Sequence, residues 1–472
     1  MGGLSKKAFQ FEKLIDQEKI PALILDSGSL LFKNTELSIK QTEQEQVTAF
    51  GIVKSYNRIG YNAVGIARED LIAGLDFLKK ISEASDFPWI SANLVDTNTK
   101  SPIFQPNVLI SKGSITVGVT ALTAADLFVG FKEEDHATIL PWREALPGVV
   151  EELRQKADLI ILLSNLPVKD NRTITELYPE IDIILQAGVN SGNQPPQLFN
   201  DTLICQTGKQ GKQIGIMKIN WQNTPWGTDK EGQLDKNKKS LDRINWQLSK
   251  YEKYKDPLVV LQDNPARLAI YKDLVFRQKK LEEEINKLSV QIARSTPDKT
   301  PSTYTNRFMA METSLPDHKD VTAIVDQLNE ELNRIGKKQI SRNENGTSPY
   351  IGSENCAVCH EYQSTSWKKS RHARAYETLA NSNQQFNLDC LPCHVTGSGD
   401  LDMGDAVNLS KSFQAVGCEN CHGPGRRHAQ MPAAVSLPAQ IPAATCLKCH
   451  TDDRDDNFDF AEDVRKLNCL PI

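Results

Sequence analysis

The chain has little histidine, little net charge and no long apolar run. It holds 8 His and 10 Cys in 472 residues, and its formal net charge is −5. No apolar stretch approaches the roughly 18 residues that a membrane helix needs, so no transmembrane segment is expected. Without a basic stripe, the electrostatic footprint of a nucleic-acid binder is absent. Residues 1–20 carry no apolar signal core. Lys6 stands where the myristoylation pattern needs Ser or Thr. What is present is 39% hydrophobic and 24% charged, a composition suited to globular cores, and the length calls for two or three domains.

The scarce cysteines and histidines are concentrated at one end. Cys-x-x-Cys-His occurs four times: Cys356, Cys359 and His360; Cys390, Cys393 and His394; Cys418, Cys421 and His422; Cys446, Cys449 and His450. This is the attachment motif of c-type haem. Both sulfurs reach one porphyrin edge as thioethers, and the adjacent imidazole turns under the iron. Cys-x-x-Cys pairs also build zinc ribbons, in which four cysteines share one metal. Zinc does not require His after every second cysteine. With so few histidines, four such coincidences have odds of about one in ten million. Four covalent haems are therefore expected, with His360, His394, His422 and His450 as iron ligands. Cys205 and Cys469 are left over and read as two inert thiols rather than a disulfide.

Thioether formation implies export, so a periplasmic or otherwise extracytoplasmic location is expected. The lack of a signal core then suggests either a coding region that extends upstream of Met1 or a trimmed form of the chain.

Residues 20–220 alternate strand-like and helix-like segments. Pro21–Asp26, Asp158–Leu163 and Ile181–Leu185 are continuous apolar runs of the kind buried on both faces of a sheet. Leu71, Leu75, Leu78 and Ile81 mark one amphipathic helix, and Val149, Leu153 and Ala157 another. The alternation predicts an α/β domain over residues 1–225. Thr202–Gln206 and Gln213–Ile219 are expected to extend its sheet as antiparallel strands. Over 228–294, apolar residues at spacings of three and four predict two helices joined at a Pro-interrupted bend. They would form an antiparallel helical hairpin, with a coiled-coil dimer as the alternative. Residues 295–348 read as linker around one helix at 320–336. Residues 349–472 read as the haem domain, mostly short helices and loops, in which porphyrins supply much of the apolar core.

Two resemblances follow. Tyr350–Cys356, Trp367–Ala375 with its Ser370-Arg371-His372-Ala373, Cys393–Gly397 and Gly417–Gly425 together resemble the cytochrome c-554 family. That resemblance implies packed haems passing electrons between partners outside the cytoplasm. Within this domain only His372 and His428 remain as further histidines. His428 follows His422 by six residues, too few to reach the far face of the same haem, so it is expected to ligate a neighbouring haem. His372 could serve its own motif's haem or another. Both could instead be surface histidines. The remaining positions would fall to His318, His136, Met403, Met431 or water. An open position would admit a small nitrogen compound.

Leu23–Leu31, Asp86–Leu94 and Ala157–Leu166 resemble segments of the 5'-nucleotidase branch of calcineurin-like metallophosphoesterases. The resemblance implies an α/β sandwich lacking its amino-terminal strand, with two metals activating a bridging hydroxide. The family's ligands are missing here. Ser29 stands for its aspartate, Ala67-Arg68-Glu69-Asp70 for Gly-Asn-His-Glu, Asn165 for its histidine, and Gly188 and Asn190 for Gly-His-x-His. His136 matches no motif position, and Asp26 and Asp182 do not make a dinuclear site. The expectation is electron transfer, with redox partner proteins, a scaffold or docking module in place of a hydrolase and possible self-association through the hairpin. A haem oxidoreductase and a metal-dependent phosphoesterase are the rivals.

Overall fold

A computed structural model describes residues 2–34, 36–38, 41–125, 131, 135–188, 192–227, 230–251, 254, 256–262, 265–294, 300–341, 348–397, 409–451, 454–455 and 457–467. The chain opens with a helix, α1 (Gly2–Glu18). There follow β1 (Leu25–Asp26), α2 (Thr42–Ile59), β2 (Ala63–Gly65), α3 (Leu75–Glu83) and β3 (Trp89–Ile90). The three strands pair in parallel in the order β1-β2-β3. Leu71 ends a 3-10 turn and is cut off from α3 by Gly74, whose φ is +90°. The expected helix therefore starts at Leu75.

Next come β4 (Leu94–Asp96), β5 (Asn107–Lys112), β6 (Ile115–Leu122), β7 (Ala137–Ile139), α4 (Trp142–Leu153), β8 (Leu159–Ser164), α5 (Val168–Leu177), β9 (Ile183–Gln186), β10 (Gln194–Phe199) and β11 (Thr202–Gln206). Six strands form one sheet in the order β10-β11-β9-β8-β6-β5. Its middle pairs are parallel, and β10 and β5 close the edges antiparallel. All six residues of β8 are buried, as its unbroken apolar run requires. Ile160 and Leu162 pack with Trp142, Leu146, Val150 and Ile174 of α4 and α5. Ile161 and Leu163 face the other way, in a core shared with Ala63, Ile90 and Leu25 of the small sheet. Val64 and Trp89 pack outward against Ala49, Val53, Leu75 and Leu78 of α2 and α3.

Two strand expectations are corrected. β11 is parallel to β9 and antiparallel only to β10. β12 (Gln213–Asn220) leaves the sheet and pairs with β13 (Thr303–Ala310). β13 lies in a stretch whose sequence reads as linker, because the partner that makes it a strand is some ninety positions away.

Between those strands lie α6 (Lys230–Ser249), α7 (Pro257–Val260) and α8 (Pro265–Arg294). Tyr251 lies 5.1 Å from Tyr271, Gln278 donates to Asn245 at 2.8 Å, and Asn237 donates to Glu284 at 3.5 Å. Numbers that rise on α6 match numbers that fall on α8. α9 (Lys319–Ser341) follows and packs on α1 and α2. The last region holds α10 (Ser353–Cys356), α11 (Glu361–Lys368), α12 (Ala375–Asn381), α13 (Cys418–His422), α14 (Arg426–Gln430), α15 (Ala443–Cys446) and α16 (Phe460–Leu467). Its small core is Leu379, Leu388, Leu391 and Val395, joined by Ile340 of α9. No helix among the described residues is long and apolar enough to cross a membrane.

Candidate haem sites

In the motifs a single turn of chain brings cysteine and histidine to one face. The His360 N–H donates to the Cys356 carbonyl at 3.0 Å, and the His450 N–H to Cys446 at 2.9 Å. The third motif is itself α13, and the second turns through a 3-10 segment at Leu391–Cys393. Thiols here occupy the positions that thioether sulfurs would take. The Cys356 and Cys418 side chains adjoin, as do those of Cys393 and Cys449. The first motif thus lies against the third, and the second against the fourth.

The histidines meet in pairs. The His360 and His428 rings have centroids 6.2 Å apart at an interplanar angle of 30°. Those of His372 and His450 lie 6.0 Å apart at 67°. Two imidazoles each about 2 Å from one metal atom have ring centroids about 6 Å apart, so both pairs fit an iron between them. The other ring nitrogens are anchored. Nδ1 lies 2.7 Å from the Ala375 carbonyl in His394, 2.7 Å from Pro438 in His422 and 2.5 Å from Val435 in His428. In His450 it lies 2.7 Å from the Asp455 carboxylate. A carbonyl only accepts, so in the first three Nδ1 carries the proton, leaving Nε2 free for a metal. Among the described residues, no ring pair joins His394 or His422 to another histidine. His318 is buried beside Glu12, and Met431 is exposed. Met403 and Cys469 lie outside the described residues.

Sequence reasoning missed the residues that hold this arrangement. Glu419, inside the third motif, is 3% exposed. Its carboxylate accepts from the Ile351, Gly352 and Gly425 N–H groups at 2.7–3.1 Å. Ser353 accepts from the Cys418 N–H, and Thr396 from the Gly417 N–H. A Glu between two motif cysteines reads as exposed, because two of its donors, Ile351 and Gly352, lie more than sixty residues away in the chain.

The amino-terminal region has a cleft of about 200 Å³ lined by Arg68, Glu69, Ala124, Asn165, Leu166 and Gly188. It gathers most of the positions where the phosphoesterase resemblance would place metal ligands. Gly28, at φ +98°, approaches the Gly65 carbonyl so closely that a Cβ would clash, and this turn delivers Ser29. Ser29 donates to Glu69 at 2.8 Å, and Arg68 pairs with Glu69 at 3.0 Å. Asp70 accepts from the N–H groups of Ser29, Leu30, Leu31 and Ala67. Burial nevertheless raises its carboxyl to about 6. Asn165 donates to the Ser27 carbonyl at 2.6 Å. Asp26 is held by Tyr56 and the Gly28 N–H. Asp182, pushed up to about 7 by burial, accepts from Ile160 at the start of β8. His136 does not line the cleft, and Asn190 lies outside the described residues. The carboxylates here are committed to Arg68, hydroxyls and backbone. Among the described residues no cluster of three or more His, Cys, Asp or Glu side chains could hold a metal. This donor set does not fit a two-metal centre.

The motif repeats and paired histidines are of the kind found in c-type cytochromes. The family model described as cytochrome c554 and c-prime matches residues 355–423. The amino-terminal region is related to metallophosphoesterases and 5'-nucleotidases. It is 24% identical over 164 residues to an uncharacterised metallophosphoesterase, YunD, of Bacillus subtilis, covering 34% of this chain and 36% of that one. It is 27% identical over 158 residues to a 5'-nucleotidase of Vibrio cholerae, covering 32% and 28%. The chain thus spans about a third of the length of these curated relatives. Among solved structures, the sulfate thiohydrolase SoxB of Thermus thermophilus aligns at TM-score 0.47 and 14% identity, covering 75% of this chain and 49% of that one. The calcineurin-like phosphoesterase YfkN of Bacillus subtilis aligns at TM-score 0.43 and 14% identity, covering 69% and 88%.

Proposed function

We propose that this chain is an extracytoplasmic electron carrier that passes electrons between redox partner proteins through four covalently bound haems c. The observation that carries the reading is the set of four Cys-x-x-Cys-His motifs, with two histidine pairs spaced for an iron. Cys356, Cys359, Cys390, Cys393, Cys418, Cys421, Cys446 and Cys449 anchor the porphyrins, and His360, His394, His422 and His450 are the proximal ligands. His428 completes the first haem opposite His360. His372 completes the fourth opposite His450. Bound haem c supplies one-electron chemistry at its iron. The protein's part is to fix each imidazole through Nδ1 and to hold motifs one and three, and two and four, side by side.

In this reading the amino-terminal region, residues 1–225, is an α/β sandwich of metallophosphoesterase type that has lost hydrolysis and serves as scaffold. Helices α6 and α8 form an antiparallel hairpin, whose exposed Trp246 and Phe276 support self-association. A second reading rests on His394 and His422, which lack a histidine partner among the described residues. Either haem could then react with a small nitrogen compound. Haem-stained intact mass and a pyridine haemochrome assay test the main reading, using protein matured in a host that attaches haem c. Four haems per chain are expected. A chain with unmodified cysteines that binds zinc would overturn it.

A further inference from the structure

The second haem motif differs from the other three in what holds it. The chain that leads into it, residues 383–391, lies on α2 of the amino-terminal region and on α9, which packs against that region. Gln44 of α2 is 3% exposed. Its amide donates to the carbonyls of Leu332 at 2.5 Å and Phe386 at 3.0 Å, and its carbonyl accepts from the Leu388 N–H at 2.8 Å. Gln41 donates to Leu388, and Asn333 bonds both Asn383 and the Phe386 N–H. Gly336 of α9 faces the Phe386 carbonyl so closely that a Cβ would overlap it. Ile340 enters the apolar cluster of Leu388 and Leu391. Buried amide, close glycine and shared core make this a built contact.

A charge arrangement completes it. Lys33, from the loop after β1, pairs with Asp389 at 2.5 Å. Asp389 is bonded directly to Cys390. Arg454, four residues past His450, approaches the same carboxylate at 3.6 Å. One acid therefore sits between a cation of the amino-terminal region and a cation just past the fourth motif.

We propose that the amino-terminal region is the mount of the second haem and sets its redox potential, with Lys33 as the positioning residue that balances Asp389. This rests on the reading of Cys390, Cys393 and His394 as a haem site. The sign follows from charge. An uncompensated carboxylate near the iron favours the ferric state and lowers the potential, whereas a neutral side chain there raises it. Lys33 is 64% exposed and Asp389 46%, so solvent moderates the effect and neither substitution threatens the fold.

The test is a spectroelectrochemical titration of the whole matured chain, with haem content measured on the same samples. In Lys33→Gln, one or two of the four components move to lower potential and the rest stay. In Asp389→Asn the same components move upward, and Lys33→Arg restores the wild-type curve. Four haems with no component moved in either variant would overturn the proposal. So would all four moving together, since that reports general loosening. A chain lacking haem at Cys390 and Cys393 by peptide mass would sink the haem reading itself and this proposal with it, a result distinguishable from the other two.

Discussion

The two ends of this chain keep opposite halves of a protein's specification. The amino-terminal region keeps a large core, with Leu78, Ile81, Leu146 and Leu162 fully buried. Yet the positions that would carry its relatives' chemistry hold Ser29, Arg68, Asn165 and Gly188. The carboxy-terminal region has a protein core of only a few side chains, Leu379, Leu388, Leu391 and Val395 among them. There the cysteines and histidines of all four motifs are present. A fold held by burial survives loss of its ligands, because burial and ligation use different residues. A region with so little apolar core needs the cofactor to complete it.

Breaking the two halves should therefore give different failures. The largest effect is expected for Cys418→Ala with Cys421→Ala. Haem content drops from four to three per chain, and the haem region loses its cooperative unfolding while the sheet region keeps its own transition. Glu419→Ala leaves three N–H groups without their carboxylate. It should cost the haem region about 3–5 kcal/mol by denaturant titration. Leu162→Ala should destabilise the sheet region by about 2–5 kcal/mol without changing haem content.

A smaller effect, of opposite sign, belongs to Asp182. Its native pKa is raised from the ordinary 3.8 to about 7 by burial. The folded chain holds that proton more tightly than the unfolded one, so the associated stability is full below about pH 4 and lost as pH rises through 7. Asp182→Asn mimics the protonated form. It should stabilise the protein by about 1–3 kcal/mol above pH 8 and by nothing near pH 4, in melts across that range. Smallest is the expected hydrolytic activity: no turnover of a 5'-nucleotide with manganese. Robust release of phosphate would break the contrast between the two regions.

Local features were legible in the sequence. The unbroken apolar run gave β8, the spacing of apolar residues gave α9, and the motifs gave the candidate ligands. Features that depend on distant partners were not. β13 is a strand only because β12 lies beside it. α1, whose sequence has no apolar core of its own, is a helix that packs on α2 and α9. The mount of Gln44, Gly336 and Ile340 has no local pattern: a polar amide, a mid-helix glycine and an aliphatic residue acquire meaning only against residues 383–391. Glu419 is the sharpest case, since an acid among polar neighbours reads as exposed until the three backbone donors converge on it. The histidine pairing also rests on tertiary structure, because His360 and His428 are far apart in sequence.

Low-temperature EPR of the ferric protein, compared with His428→Ala and His372→Ala, tests the account most directly. The wild type should show low-spin signals from the first and fourth haems. Each variant should convert one of them to high spin without loss of haem. Unchanged spectra in both variants would contradict the assignment of these histidines as iron ligands.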